Sequence, residues 1–238
     1  MPQDRRAPFA GAASWVRITG VAGALCRWRC RVVLSQPAAH SLDQNPAAVA
    51  AATDRMIFGR ILALAAADPA RTMTGSLALT KADLTELAAR HAPDFADAVA
   101  ALPGGGEAGG DEPGEDAIEE ADLRAFLAEH GATGADEERW LAAILARRSL
   151  EPNHLWQDMG FHDRGELNTM FRRHFPALVA LNSGDMKWKK FFYRQLCERE
   201  GLMLCKSPNC EVCDDVEVCF GEEAGDPLST LARLARNG

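Results

Sequence analysis

Four cysteines fall within the stretch CKSPNCEVCDDVEVC near the carboxyl end, at Cys205-x4-Cys210-x2-Cys213-x5-Cys219. The chain holds seven cysteines in 238 residues, so only Cys26, Cys30 and Cys197 lie elsewhere. Thiols this close in sequence can converge on one point without help from distant segments, and convergent thiols either ligate a metal or form disulfides. Disulfides are disfavoured: the number is odd, acids flank the run, and the apolar stretch Ile18 to Cys26 is short and interrupted by Arg27, so no secretory signal is expected. A reducing cytoplasm would keep the thiolates available, and metal ligation is the working reading.

Spacing narrows the metal. The first three positions repeat the C-x4-C-x2-C run that wraps an iron-sulfur cluster in plant-type ferredoxins. There the fourth cysteine lies far along the chain, whereas here Cys219 closes the run after five residues. Structural zinc more often takes two short cysteine pairs a dozen or more residues apart, and only one C-x-x-C, Cys210 to Cys213, is present.

With its flanks the run resembles a known family. MKWKKFFYRQLCEREGLMLC before it and FGEE after it, together with LWQDMGF at 155–161 and HFPALVALN at 174–182, are similar to NifQ proteins. The resemblance implies an iron-sulfur cluster that can include molybdenum, passed on to assembly of the nitrogenase iron-molybdenum cofactor. The partners it implies are nitrogenase cofactor-assembly proteins (scaffold and iron protein) and molybdate or another molybdenum donor. Cys205, Cys210, Cys213 and Cys219 are the candidate ligands. Between Cys205 and Glu223 the acids Glu211, Asp214, Asp215, Glu217, Glu222 and Glu223 face Lys206 alone, which suits a cationic iron-sulfur core and not direct capture of an anion. Two other readings of the thiols stay open: a structural zinc-binding interaction module and an electron-transfer iron-sulfur protein. No Ser/His/Asp or Cys/His constellation suggests an enzyme.

These thiols need elements to position them. Immediately upstream, Met186 to Gly201 reads as a helix with Trp188, Phe191, Phe192 and Leu196 on an apolar stripe. Lys187, Lys189, Lys190, Arg194 and Arg199 would form the opposite, basic face, where molybdate or an acidic partner could be attracted. Cys197 is a possible fifth thiol, with a small buried side chain as the default. Gly201 should end the helix, Pro208 should turn the chain, and regular structure should stop there until a short helix at 228–235.

Further upstream, Ile57, Ile61 and Leu64 repeat at helical spacing until Asp68-Pro69. Thr80 with Asp83 forms a capping box for a second helix, with Leu84, Leu87 and Ala88 on one face, ending by Pro103. Leu123, Phe126 and Leu127 mark a third helix. A fourth carries Asp136, Glu137 and Glu138 in its first turn and Arg147 and Arg148 in its last, with Trp140 or Leu141, Ile144 and Leu145 buried. Leu167, Met170, Phe171 and His174 share a face, and Pro176 should open a separate helical piece. His174, His154 and His162 read as histidines satisfying helix ends. Glu151-x-x-His154 is not expected to bind metal, because Pro152 interrupts it and no second copy exists.

The fold class expected is mainly α, a small helical bundle with an irregular C-terminal cysteine-rich metal loop. Its organisation would be a poorly ordered basic extension (1–42), a helical domain (43–225) containing a flexible acidic glycine-rich loop (103–116) and the ligand loop (205–219), and a tail (226–238). The net charge of −8 argues against nucleic-acid binding, and no apolar run reaches the roughly 18 residues of a membrane span.

Overall fold

The computed structural model describes residues 45–103, 117–201 and 216–228, all within the unit Gln44–Gly238. Regular structure among the described residues is entirely helical. Helix α1 (Pro46–Ala67) starts where Asn45 Oδ1 accepts from the Ala47 N–H at 3.1 Å, with Pro46 in the first turn, where a missing N–H costs no intrahelical bond. Its buried positions are Asp54, Ile57, Phe58, Ile61, Leu62 and Ala65; Leu64 lies at the margin of this face.

A five-residue helix that apolar spacing did not suggest, α2 (Met73–Leu77), is capped by Thr72 and closed by Ala78 in the left-handed region at φ 51°. Helix α3 (Lys81–His91) has the expected box: Thr80 Oγ1 accepts from the Asp83 N–H, and the Asp83 carboxylate accepts from the Thr80 N–H. Leu84, Leu87 and Ala88 are its buried face. The helix stops well before Pro103. Pro93 disfavours helical geometry at Ala92, so the chain breaks there into a 3-10 turn (Pro93–Phe95) and a short α4 (Ala96–Ala100).

Helix α5 (Ala117–Glu129) packs along α6 (Asp136–Ser149). The sequence suggested one buried face for α6, but the helix is enclosed all round: Trp140, Leu141, Ala142, Ala143, Ile144, Leu145 and Ala146 are all buried. Alanines on its far side let neighbours approach closely, which periodicity alone does not distinguish from a solvent-facing stripe. The acids of its first turn and arginines of its last match the expected dipole pattern.

Five shorter helices complete the described architecture: α7 (Leu155–Asp158), α8 (Arg164–His174), α9 (Pro176–Leu181), α10 (Trp188–Arg199) and α11 (Val216–Phe220). Pro176 divides α8 from α9 as expected. Gly160 turns the chain from α7 towards α8 at φ +78°, and a Cβ there would lie 2.8 Å from the Arg60 carbonyl oxygen on α1.

His174 does not satisfy a helix end through its ring. Its Nε2 lies 3.0 Å from Asp54 Oδ1 on α1, and Arg173 donates to both oxygens of the same carboxylate at 2.5 Å. Burial alone would raise the Asp54 pKa, but the hydrogen bonds from Arg173 and His174 prevail and hold it well below the usual carboxylate range. This three-way contact ties α1 to α8 across 120 residues of chain. No described helix is long and apolar enough to cross a membrane.

Candidate metal centre

The residues preceding the thiol run are placed by aromatic packing. Trp188 stacks on Phe171 of α8 with ring centroids 3.7 Å apart, and its indole N–H donates to Asn168 Oδ1 at 2.8 Å. Phe191 and Phe192 are buried against the same cluster, so the apolar stripe of α10 is core, while Leu196 is partly exposed. The turn before α10 is closed by Asn182, whose side chain donates to the Met186 carbonyl and accepts from the Met186 N–H, both at 2.9 Å. That pair sets the backbone of Lys187.

The expected basic face of α10 is divided among separate tasks. Lys189 turns inward: its Nζ donates to Asp158 Oδ2 at 2.6 Å and to the Glu151 carbonyl at 2.5 Å. Lys187 Nζ donates to the Glu217 carbonyl at 3.1 Å. Arg194 pairs with Glu198 on its own helix, and Arg199 pairs with Glu129 while its guanidinium lies over Phe126. Lys190 is exposed.

Cys219 is the one candidate ligand within the described residues; Cys205, Cys210 and Cys213 lie outside them. It is helical, on α11, where irregular backbone was expected. The cause lies in contacts from distant sequence. The Lys187 N–H donates to the Cys219 carbonyl at 2.8 Å and the Lys187 ammonium takes the Glu217 carbonyl, so two α11 carbonyls gain partners from the residue that caps α10. Cys219 and Phe220 pack partly buried against the core. The expected helix at 228–235 lies outside the described residues beyond Leu228.

Beyond Cys219 the chain is fastened to α7. Gln157 Nε2 donates to the Asp226 carbonyl at 2.9 Å, and Gly225, at φ +145°, permits it: a Cβ there would lie 2.5 Å from that nitrogen. The Glu223 side chain is 5% exposed, with Oε1 3.6 Å from His154 Nδ1 and Oε2 without a hydrogen bond. His154 stands at a helix end as expected, as the N-cap residue of α7 with its backbone N–H held by Gln157 Oε1 at 3.2 Å, and its ring also meets Glu223. His162 is exposed. Glu151 pairs with Arg71. Among the described residues no three His, Cys, Asp or Glu side chains converge on a metal position. Cys197, on α10, is half-buried.

Sequence reasoning missed Gln157, Asp158, Asn182 and Glu223 as the residues that seat the thiol-bearing segment. Three of them lie inside the stretches LWQDMGF and HFPALVALN, so the signal was present without an assigned task.

The architecture is an all-helical core with a cysteine-bearing helix docked at its carboxyl end. The chain belongs to the NifQ family, a family of nitrogen fixation, whose model matches residues 57–221. Among relatives, the Protein NifQ homolog of Sinorhizobium fredii is 44% identical over 123 residues, 52% of each chain. Protein NifQ of Rhodobacter capsulatus is 42% identical over 63% of this chain and 79% of its own. Protein NifQ of Azotobacter vinelandii is 39% identical over 62% of this chain and 78% of its own. The chain thus spans about half the length of the Sinorhizobium relative and more of the other two. No solved structure matches it.

Proposed function

We propose that this protein is a carrier, not an enzyme, that takes an iron-sulfur cluster containing molybdenum as cargo and supplies molybdenum for assembly of the nitrogenase iron-molybdenum cofactor in the cytoplasm. The observation that carries the reading is the four-thiol run of a NifQ-family chain, whose last member, Cys219, is seated on the helical core by Lys187. Cys205, Cys210, Cys213 and Cys219 supply the thiolates, because soft sulfur ligands favour iron-sulfur assemblies. Cofactor-assembly proteins receive the cargo, and molybdate or another molybdenum donor supplies it. Lys190, exposed on α10, is the member of the expected basic face best placed to meet an anion or an acidic partner.

The chemistry divides between holding and releasing. Among the described residues, two hydrogen bonds from Lys187, the partly buried packing of Cys219 and Phe220, and polar contacts beyond them hold α11 on the core, a smaller attachment than that of the buried helices. Exchange of cargo then requires parting few contacts.

Anaerobic purification followed by iron, acid-labile sulfide, molybdenum and zinc quantification tests the reading. Iron, sulfide and molybdenum are expected, and Cys219→Ala or Cys210→Ala should remove most of them while thermal stability changes by less than about 1 kcal/mol. Stoichiometric zinc without iron would make the protein a zinc module. Reversible one-electron cycling without molybdenum release would make it an electron carrier.

A further inference from the structure

Arg148, in the last turn of α6, is 5% exposed, yet it pairs with no carboxylate among the described residues. Its Nη2 donates to Ser76 Oγ at 2.6 Å, and that is its sole hydrogen bond there. A guanidinium presents five N–H donors, and a buried cation without an anion is costly. Burial pulls its pKa below the ordinary arginine value even though Glu151, Asp158 and Asp68 act in the opposite direction.

The side chain lines a pocket of about 260 Å³, together with Leu64, Ala67, Asp68, Glu151, Asn153, Asp158 and Leu228. The acids in this wall are engaged elsewhere. Asp158 takes Lys189 at one oxygen and Asn153 Nδ2, at 2.9 Å, at the other; Glu151 takes Arg71. Asp68 accepts from the Ala70 N–H at 2.9 Å and pairs with no cation. Among the described residues Arg148 is the cation of this wall that has no carboxylate in ion-pair contact, although Glu151, Asp158 and Asp68 act on it through space.

We propose that this pocket binds a small organic molecule bearing a single carboxylate, with the carboxylate on Arg148 and the hydrocarbon body against Leu64, Ala67 and Leu228. The planar guanidinium fork matches a carboxylate, and three apolar side chains favour an organic body over a bare inorganic ion. The limit of one negative charge follows from Asp68, Glu151 and Asp158, which would repel a second. A plain short acid uses Arg148 alone, whereas an amino acid also offers its ammonium to Asp68. The lining residues, from α1 to Leu228, lie outside the thiol run, so the site does not use the thiols.

Thermal melting and calorimetric titration of the full chain with propionate and with alanine test the proposal, with chloride and sulfate at matched ionic strength as references. A saturable rise in Tm with either organic probe, above both references, is expected. Alanine exceeding propionate assigns the ammonium to Asp68, and the reverse assigns a plain acid; both support the site. Arg148→Met should weaken binding at least about tenfold. Ala67→Phe, which fills the pocket and leaves the guanidinium in place, should do the same and decides the matter where Arg148→Met does not fold. Undiminished binding in the folded variants overturns the proposal, as does sulfate acting as strongly as the organic probes.

Discussion

The core around α6 and the segment that carries Cys219 are held by different physics. Helix α6 buries an unbroken run from Trp140 to Ala146 in the apolar core, and the indole N–H of its largest side chain, Trp140, donates to Asp83 Oδ1 at 3.1 Å. Among the described residues, the segment from Val216 to Leu228 contributes partly buried Cys219 and Phe220 to the apolar cluster and is met by two hydrogen bonds from Lys187 and by His154 and Gln157. Burial over a wide area resists local opening, while a few isolated hydrogen bonds do not. The difference teaches that a cysteine-bearing element can be positioned by the core without sharing its extent of burial.

The largest perturbation should come from Trp140→Ala, expected to cost about 3–5 kcal/mol in urea unfolding. Amide exchange in α11 should become faster only as much as global unfolding requires. Selective loosening of α11 would merge the two regions into one.

Next is Asp54→Asn, expected to cost about 3 kcal/mol at neutral pH because it breaks a buried carboxylate contact with Arg173 and His174. The Asp54 pKa is lowered in the folded state, so its stabilisation is present above the unfolded value near about 3.9 and is lost as pH falls below it. Wild type should therefore lose stability on acidification more steeply than Asp54→Asn, a comparison made by unfolding at pH 7 and pH 3.

Lys189→Met should cost about 2 kcal/mol, since it leaves Asp158 buried without its cation. Gly225→Ala should cost about 1 kcal/mol through its positive φ and the approach of Gln157. Its effect should appear as faster exchange in α11 with little change in Tm, and a global loss would show that the segment belongs to the core after all. The smallest stability change, below about 0.5 kcal/mol, is expected for Lys190→Glu, so a fall in molybdenum loading of that variant would be a direct effect on delivery.

Much of the helical pattern was legible in the sequence. The Thr80–Asp83 box, the charged ends of α6 and the proline that opens α9 act within one turn of chain, where residue type dictates geometry. The end of α3 was bounded only loosely, by Pro103, because a single proline at Pro93 outweighs the apolar pattern on either side of it. The α10 lysines were misread because helical spacing places Lys189 on a face but cannot reveal that Asp158 waits there. Helix α11 was missed because its bounding contacts come from Lys187, thirty residues upstream of Glu217.

Sequence alone determined the thiol spacing, the helix caps and the apolar stripes, because each depends on neighbours a few residues apart. Tertiary structure decided that His174 meets Asp54, that Cys219 sits on a helix held through Lys187, and that Arg148 is buried in the wall of a pocket without an ion pair among the described residues. These contacts join groups far apart in the chain, and their energies exist only after the core has closed around them.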